Sequence, residues 1–216
     1  MEPFTPFSSA KLVLALRQAG LTDLRLAEAF EKTQRVPFVP GPYQPHAWDN
    51  VELPLDCGQT MTRPVMIGQM FEALDPKREH NVLEIGTGSG YASAVLSRLC
   101  REVHTLDRYR TLVHRAQAAL EQAGVSRVDV HFADGREGWS AAAPYDRVLF
   151  MAAVEGAIPR AVVAQMAPGA VAVAPVIGEK GQRMMRFVLG EDGALHDTDL
   201  FAARFTPLEQ GVAREL

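Results

Sequence analysis

Hydrophobic positions follow two regimes along the chain. Between residues 81 and 177, short runs that are apolar almost throughout alternate with segments in which apolar residues recur every three or four positions. The runs Asn81 to Ile85, Glu102 to Leu106, Val128 to Phe132, Asp146 to Met151 and Ala170 to Ile177 predict strands. Between them, Tyr91 to Leu99, Tyr109 to Ala123 and Pro159 to Met166 predict helices. Strands apolar on both faces and interleaved with helices predict an α/β fold, a Rossmann-like and mostly parallel sheet with helices on both faces.

Upstream, Ser8 or Ser9 is placed to cap a helix running to Ala19, and Thr22 or Asp23 to cap a second ending near Thr33. Five prolines between Arg35 and Leu55 preclude a long helix there and predict an extended arm anchored by Phe38, Tyr43 and Trp48. Pro64 suits the first turn of a helix with Met66, Ile67, Met70, Phe71 and Leu74 on one side. After residue 177 the pattern changes to strands without helices. Gln182 to Leu189 and Asp199 to Pro207, joined through Glu191-Asp192-Gly193, predict an antiparallel pair at one end of the sheet. The length fits a single domain, with residues 1–75 as helices and a Pro-rich arm packed on a core of residues 76–216.

Composition narrows the function classes. With 22 basic against 26 acidic residues, the formal charge of -4 and the lack of a basic block disfavour nucleic acid as a partner. No stretch reaches the roughly 18 apolar residues of a membrane span, and the N-terminus, with Lys11 and Arg17 breaking its apolar run, is unlike a secretory signal. Cys57 and Cys100 form no metal-ligand spacing, and the six histidines are scattered, so no metal site is assigned. The expectation is a reduced, cytosolic protein, monomeric because no apolar patch stands out.

The run Val82 to Tyr91 (VLEIGTGSGY) carries the chemistry. Gly86, Gly88 and Gly90 follow a strand directly and precede a helix, where an open parallel sheet places its ligand. Their spacing is G-x-G-x-G, not the G-x-G-x-x-G of a dinucleotide loop, which leaves a dinucleotide as the lesser reading. A carboxylate at Glu84 suits a cationic amino-acid moiety better than a pyrophosphate. At the ends of the next two strands, Asp107 is placed to accept ribose hydroxyls and Asp134 an adenine amino group. Three acids along one sheet edge, around a glycine loop, predict S-adenosyl-L-methionine as cofactor.

The chain resembles the protein-L-isoaspartate O-methyltransferase family from about Leu14 to Leu208. The stretches that carry the likeness are LRQAGLTDLRLAEAF at Leu16 to Phe30, VPFVP at Val36 to Pro40, AWDN at Ala47 to Asn50 and LPLDCGQTMTRP at Leu53 to Pro64. They continue with VLEIGTGSGYASAVL at Val82 to Leu96, ADG at Ala133 to Gly135, APYDRVLFMAAVEGAIP at Ala143 to Pro159, MAPGAVAVAPVIG at Met166 to Gly178, and the terminal RFTPL. The resemblance implies methyl transfer from S-adenosylmethionine to the carboxylate of L-isoaspartyl residues in damaged proteins, with S-adenosyl-L-homocysteine as product. It also implies cofactor contacts from Thr60, Thr62, Glu84, Gly86, Thr87, Gly88, Ser89, Gly90, Tyr91, Asp107, Arg108, Asp134 and Gly135, and acceptor contacts from Trp48, Met61 and Gln182.

Three positions depart from the family pattern. The loop G-x-T-x-S-x-P reads Gly58-Gln59-Thr60-Met61-Thr62-Arg63-Pro64, so Thr62 stands where the family has its active-site serine. Asp107 replaces a glutamate and Trp48 a tyrosine. Thr62 keeps the hydroxyl but adds a methyl group that takes volume and restricts χ1. Two alternatives therefore stand beside isoaspartyl repair: the same cofactor with another carboxylate acceptor, and a cofactor-binding module without turnover.

Overall fold

A computed structural model of the chain describes residues 6–213 except 180. The first five residues of the N-terminus, one position of the turn at 178–181 and the end of the expected domain lie outside the described residues. In chain order the elements are α1 (Pro6–Gln18), α2 (Leu24–Lys32), β1 (Leu53–Pro54), β2 (Thr60–Met61), α3 (Pro64–Leu74), β3 (Asn81–Ile85), α4 (Tyr91–Leu96), β4 (Glu102–Asp107) and α5 (Arg110–Gln122). Then follow β5 (Val128–Phe132), β6 (Tyr145–Phe150), β7 (Val154–Glu155), α6 (Arg160–Val163), β8 (Met166–Gly178), β9 (Gly181–Leu189) and β10 (Leu195–Ala202).

The main sheet runs β10-β9-β8-β6-β3-β4-β5, with β7 paired beside β8. Its pairs from β5 to β8 are parallel, and β8-β9 and β9-β10 are antiparallel. The sheet divides the core into two layers. Val82, Leu149 and Val173 face one side with α3, α4 and the arm, and Leu83, Ile85, Val148 and Phe150 face the other with Val162 of α6. Helices are thus concentrated on the first face.

The arm differs from the expected extended course. It folds into two short 3-10 turns, Val36–Phe38 and Gly41–His46, which suit the fixed φ of proline. Its main fastener is Arg35, fully buried, which donates from one guanidinium nitrogen to the carbonyls of Ala47 and Asp49, each at 2.9 Å, and lies 5.4 Å from the Tyr91 ring centre. Asn50 then caps α3 by accepting from Val65 N at 3.0 Å. Asp23 caps α2, accepting from Arg25 N at 2.8 Å, as expected of that position. α1 spans Pro6–Gln18, so Ser8 and Ser9 fall within the helix and not at the start expected for it.

Two boundaries move for tertiary reasons. α6 is one turn long because β8 starts at Met166, paired with Tyr145, and Gln165 is spent on Trp139 N and Glu137 O. β10 occupies residues 195–202, not Asp199 to Pro207. Beyond it the chain leaves the sheet: Phe205 is held by both ends of the Gln182 amide, at 2.7 and 2.9 Å, and residues 206–208 pair alongside Ala153.

Candidate active site

The strand order reverses at β3, with β4 on one side and β6 on the other, and a cavity of about 220 Å³ opens at the carboxyl ends of these strands. Its floor is the loop after β3. Gly86, Gly88 and Gly90 all have positive φ, at 103°, 54° and 83°, a backbone that other residues adopt only under strain. A Cβ at Gly86 would also come within 3.1 Å of Met151 Cβ, and one at Gly90 within 3.2 Å of Ala116 Cβ. The glycines therefore serve both the turn and the close seating of the loop on β6 and α5.

Asp107 closes one side. It is 7% exposed, and its two carboxylate oxygens accept from Gly88 N and Tyr109 N, each at 2.9 Å. Burial raises its pKa, opposed by those backbone donors. Each oxygen retains a second lone pair, so the carboxylate can hold the loop and still accept from a ligand. Opposite stands the β1-β2 hairpin, whose register of Leu53 with Met61 and Pro54 with Thr60 delivers Thr60, Met61 and Thr62 to the cavity wall.

The end of the strand expected at Asp199 to Pro207, with the two residues after it, forms the remaining wall instead of continuing the sheet. Thr206, Pro207, Leu208 and Glu209 line the cavity as a strap laid across the sheet edge. The strap is fastened at several points: Ala153 N to Thr206 O at 2.8 Å, Leu208 N to Ala153 O at 2.7 Å, and Thr206 Oγ1 to Gln59 Oε1 at 3.3 Å. Arg108 pairs with Glu209 and donates from Nε to Gly211 O at 3.0 Å. In the sequence, RFTPL belongs to the family likeness, and its alternation reads as the end of a strand rather than as a cavity wall.

Most of the expected site residues converge here. Thr60, Met61, Thr62, Gly86, Thr87, Gly88, Ser89, Tyr91, Asp107, Arg108 and Gly135 line the cavity, together with Gln59, Ile67, Leu106, Leu112 and Met151, which are not among the expected site residues. Gly90, the residue preceding α4, ends the same loop and does not itself line the cavity.

Besides Gly90, four expected residues do not line the cavity. Glu84 lies under the loop, fully buried, accepting at one oxygen from Ser93 Oγ and from Thr105 Oγ1, the latter at 2.7 Å. It points into the helix-covered layer because it alternates with Leu83 and Ile85. Asp134 is engaged by Arg136 N at 2.9 Å and Gly211 N at 2.6 Å, so it ties down the strap, and the wall at that point is Gly135. Gln182 is consumed by Phe205, and Trp48 packs against the helix-side core.

Glu84 carries a pH prediction. Desolvation pushes its pKa to about 7, despite the two hydroxyl donors. A carboxyl whose folded pKa exceeds its unfolded value favours the fold below the unfolded pKa, and that contribution is lost as pH rises toward 7. Chemical denaturation should show wild-type stability falling between about pH 5 and 7 relative to Glu84→Gln, by up to roughly 3 kcal/mol, and no further divergence well above 7. Parallel pH profiles for the two proteins would show that Glu84 is ionised in the fold throughout.

The cavity fits S-adenosylmethionine by its donor set: exposed loop backbone, a carboxylate with free lone pairs, and apolar walls from Leu106, Leu112 and Met151. Among the described residues no group of three or more His, Cys, Asp or Glu is placed to hold a metal, and no helix is long and apolar enough to cross a membrane.

Comparison with known proteins gives a consistent result. The family model described as protein-L-isoaspartate(D-aspartate) O-methyltransferase matches residues 8–213. Over 94% of both chains, the sequence is 44% identical to a protein-L-isoaspartate O-methyltransferase of Azorhizobium caulinodans. A second such enzyme, from Rhodospirillum rubrum, is 42% identical over 96% of this chain and 95% of its own. Among solved structures, a protein-L-isoaspartate O-methyltransferase superposes with a TM-score of 0.83 at 23% identity, covering 94% of this chain and 67% of that one, a likeness of fold.

Proposed function

The chain belongs to the protein-L-isoaspartate(D-aspartate) O-methyltransferase family, and from that premise we propose which of its residues carry methyl transfer from S-adenosylmethionine to the isoaspartyl carboxylate. The observation that supports these assignments is the placement of the Thr60-Met61-Thr62 hairpin across one cavity from Gly86, Gly88 and Asp107. The match over nearly the whole chain favours isoaspartyl methylation over another acceptor or a module without turnover.

Bound S-adenosylmethionine supplies an electrophilic methyl group on a sulfonium. The chain's own task is then alignment. The acceptor carboxylate is an anion at neutral pH and needs no general base, so rate comes from holding it in line and dry. Asp107 accepts the ribose hydroxyls while anchoring the loop through Gly88 N. Thr62 donates its hydroxyl toward the reacting carboxylate, and Met61 bounds the space beside it. The strap at Thr206 to Glu209 excludes water. Glu84, Asp134, Gln182 and Trp48 act at one remove, by setting the loop, the strap and the arm. The protein is read as a single-domain cytosolic monomer.

Two substitutions test Thr62 in opposite directions. Thr62→Ser should raise kcat/KM for an L-isoaspartyl peptide, by up to about tenfold, because one methyl group in a binding site is worth about that much. Thr62→Val keeps the shape and removes the donor, and should lower it by about 10- to 100-fold, the value of a hydrogen bond to a charged group. Steady-state methyl transfer measures both, and unchanged rates in the valine variant would remove Thr62 from the reaction.

A further inference from the structure

A second cavity, of about 390 Å³, lies at the opposite edge of the sheet, where the strands begin. It is enclosed by α2, the segment before β3, the end of α4 and the turn between α5 and β5, and its lining includes Ser97 and Ser126. Five cationic side chains from these four separate segments line it, Arg25, Lys32, Arg78, Arg98 and Arg127, against one acid, Glu28. Such a concentration is unexpected in a chain of net charge -4.

Two of the five are neutralised locally. Arg25 is held by Asp23 at 2.6 Å and Asp75 at 3.4 Å, and Lys32 by Glu28 at 2.5 Å. The other three keep donors free. Arg98 uses only Nε, on Thr33 Oγ1 at 2.9 Å, and among the described residues the guanidinium groups of Arg78 and Arg127 make no hydrogen bond or ion pair. The ends of α4 and α5 border the cavity, and a helix C-terminus carries at most about half a negative charge, which offsets only part of three guanidinium groups. Exposed arginines on a convex surface would spread into solvent. Here they line a concave, polar space of ligand size, and planar guanidinium forks match phosphate oxygens two at a time.

We propose that this cavity is a binding site for a small anion bearing adjacent phosphate groups, held by Arg78, Arg98 and Arg127. It is separate from the methyl-transfer site, at the other end of the same strands. Its occupant bridges α2 and the α4 and α5 ends, the elements that carry the arm and the glycine loop.

Calorimetry of the full chain with inorganic pyrophosphate and tripolyphosphate tests it, with S-adenosylhomocysteine titrated in parallel. Saturable binding with one site is expected, weakening as salt is raised. The Arg98→Gln, Arg127→Gln double variant should lose at least about tenfold in affinity for the polyanion, since each charge-assisted fork is worth about that much. Its affinity for S-adenosylhomocysteine should be unchanged, which also verifies that it is folded. An Arg127→Lys variant, keeping charge but not the fork, should fall between. No saturable binding, equal affinity in the double variant, or polyanion binding blocked by saturating S-adenosylhomocysteine would each overturn the assignment.

Discussion

Asp107→Ala is expected to lower the affinity for S-adenosylhomocysteine by about two to three orders of magnitude, or roughly 3–4 kcal/mol. The loss has two parts. The direct part is the acceptor for the ligand's hydroxyls. The indirect part is the loop itself, since Gly88 N and Tyr109 N both lose their acceptor on a side chain that is almost fully buried. A buried donor left unpaired costs about 1–3 kcal/mol, and two such donors flank the cavity. Asp107→Asn separates the parts: its amide oxygen can still accept from one backbone N–H, so stability should recover more than affinity. Calorimetry and chemical denaturation on the three proteins decide this. Wild-type affinity in the alanine variant would show that the cofactor does not contact β4.

Gly135→Ala is expected to cost about 2–3 kcal/mol of stability and to weaken cofactor binding at least tenfold. An added Cβ would overlap Ile85 Cγ2 and meet Leu208 Cδ1 at 3.2 Å. Ile85 is β-branched, 1% exposed and fixed in β3, so it has little freedom to turn away. The element that can yield is the strap through Leu208, and it is also a cavity wall. Denaturation and cofactor titration should therefore fail together. A stability loss with intact affinity would mean that the sheet gives way and the strap stays.

The parallel half of the sheet was legible because its strands are apolar on both faces and its helices periodic. β3 and β5 follow the pattern residue for residue, β4 runs one residue longer and β6 is shifted by one. The glycine loop and Asp107 were legible for a local reason: strand, turn and helix adjoin in sequence. What the pattern missed depends on contacts between distant residues. Residues 203–207 have the alternation of a strand, yet Gln182 and Ala153, 23 and 54 positions before the residues they pair with, draw them across the sheet edge. Asp134 looked like a ligand acceptor because its other claimant, Gly211 N, is 77 residues away. Glu84 looked like a contact for a cationic amino-acid moiety at a strand end, but it is turned under the loop toward Ser93 and Thr105. The basic cavity is another such case, since its cations come from four segments with no basic run among them.

The measurement that bears most directly on function is methyl transfer from labelled S-adenosylmethionine to an L-isoaspartyl peptide and to its L-aspartyl twin, with the purified chain. Label should pass to the isoaspartyl peptide alone, as a base-labile ester. Transfer to neither peptide by a protein that binds S-adenosylhomocysteine, or equal transfer to both, would contradict isoaspartyl methylation at the Thr62 loop.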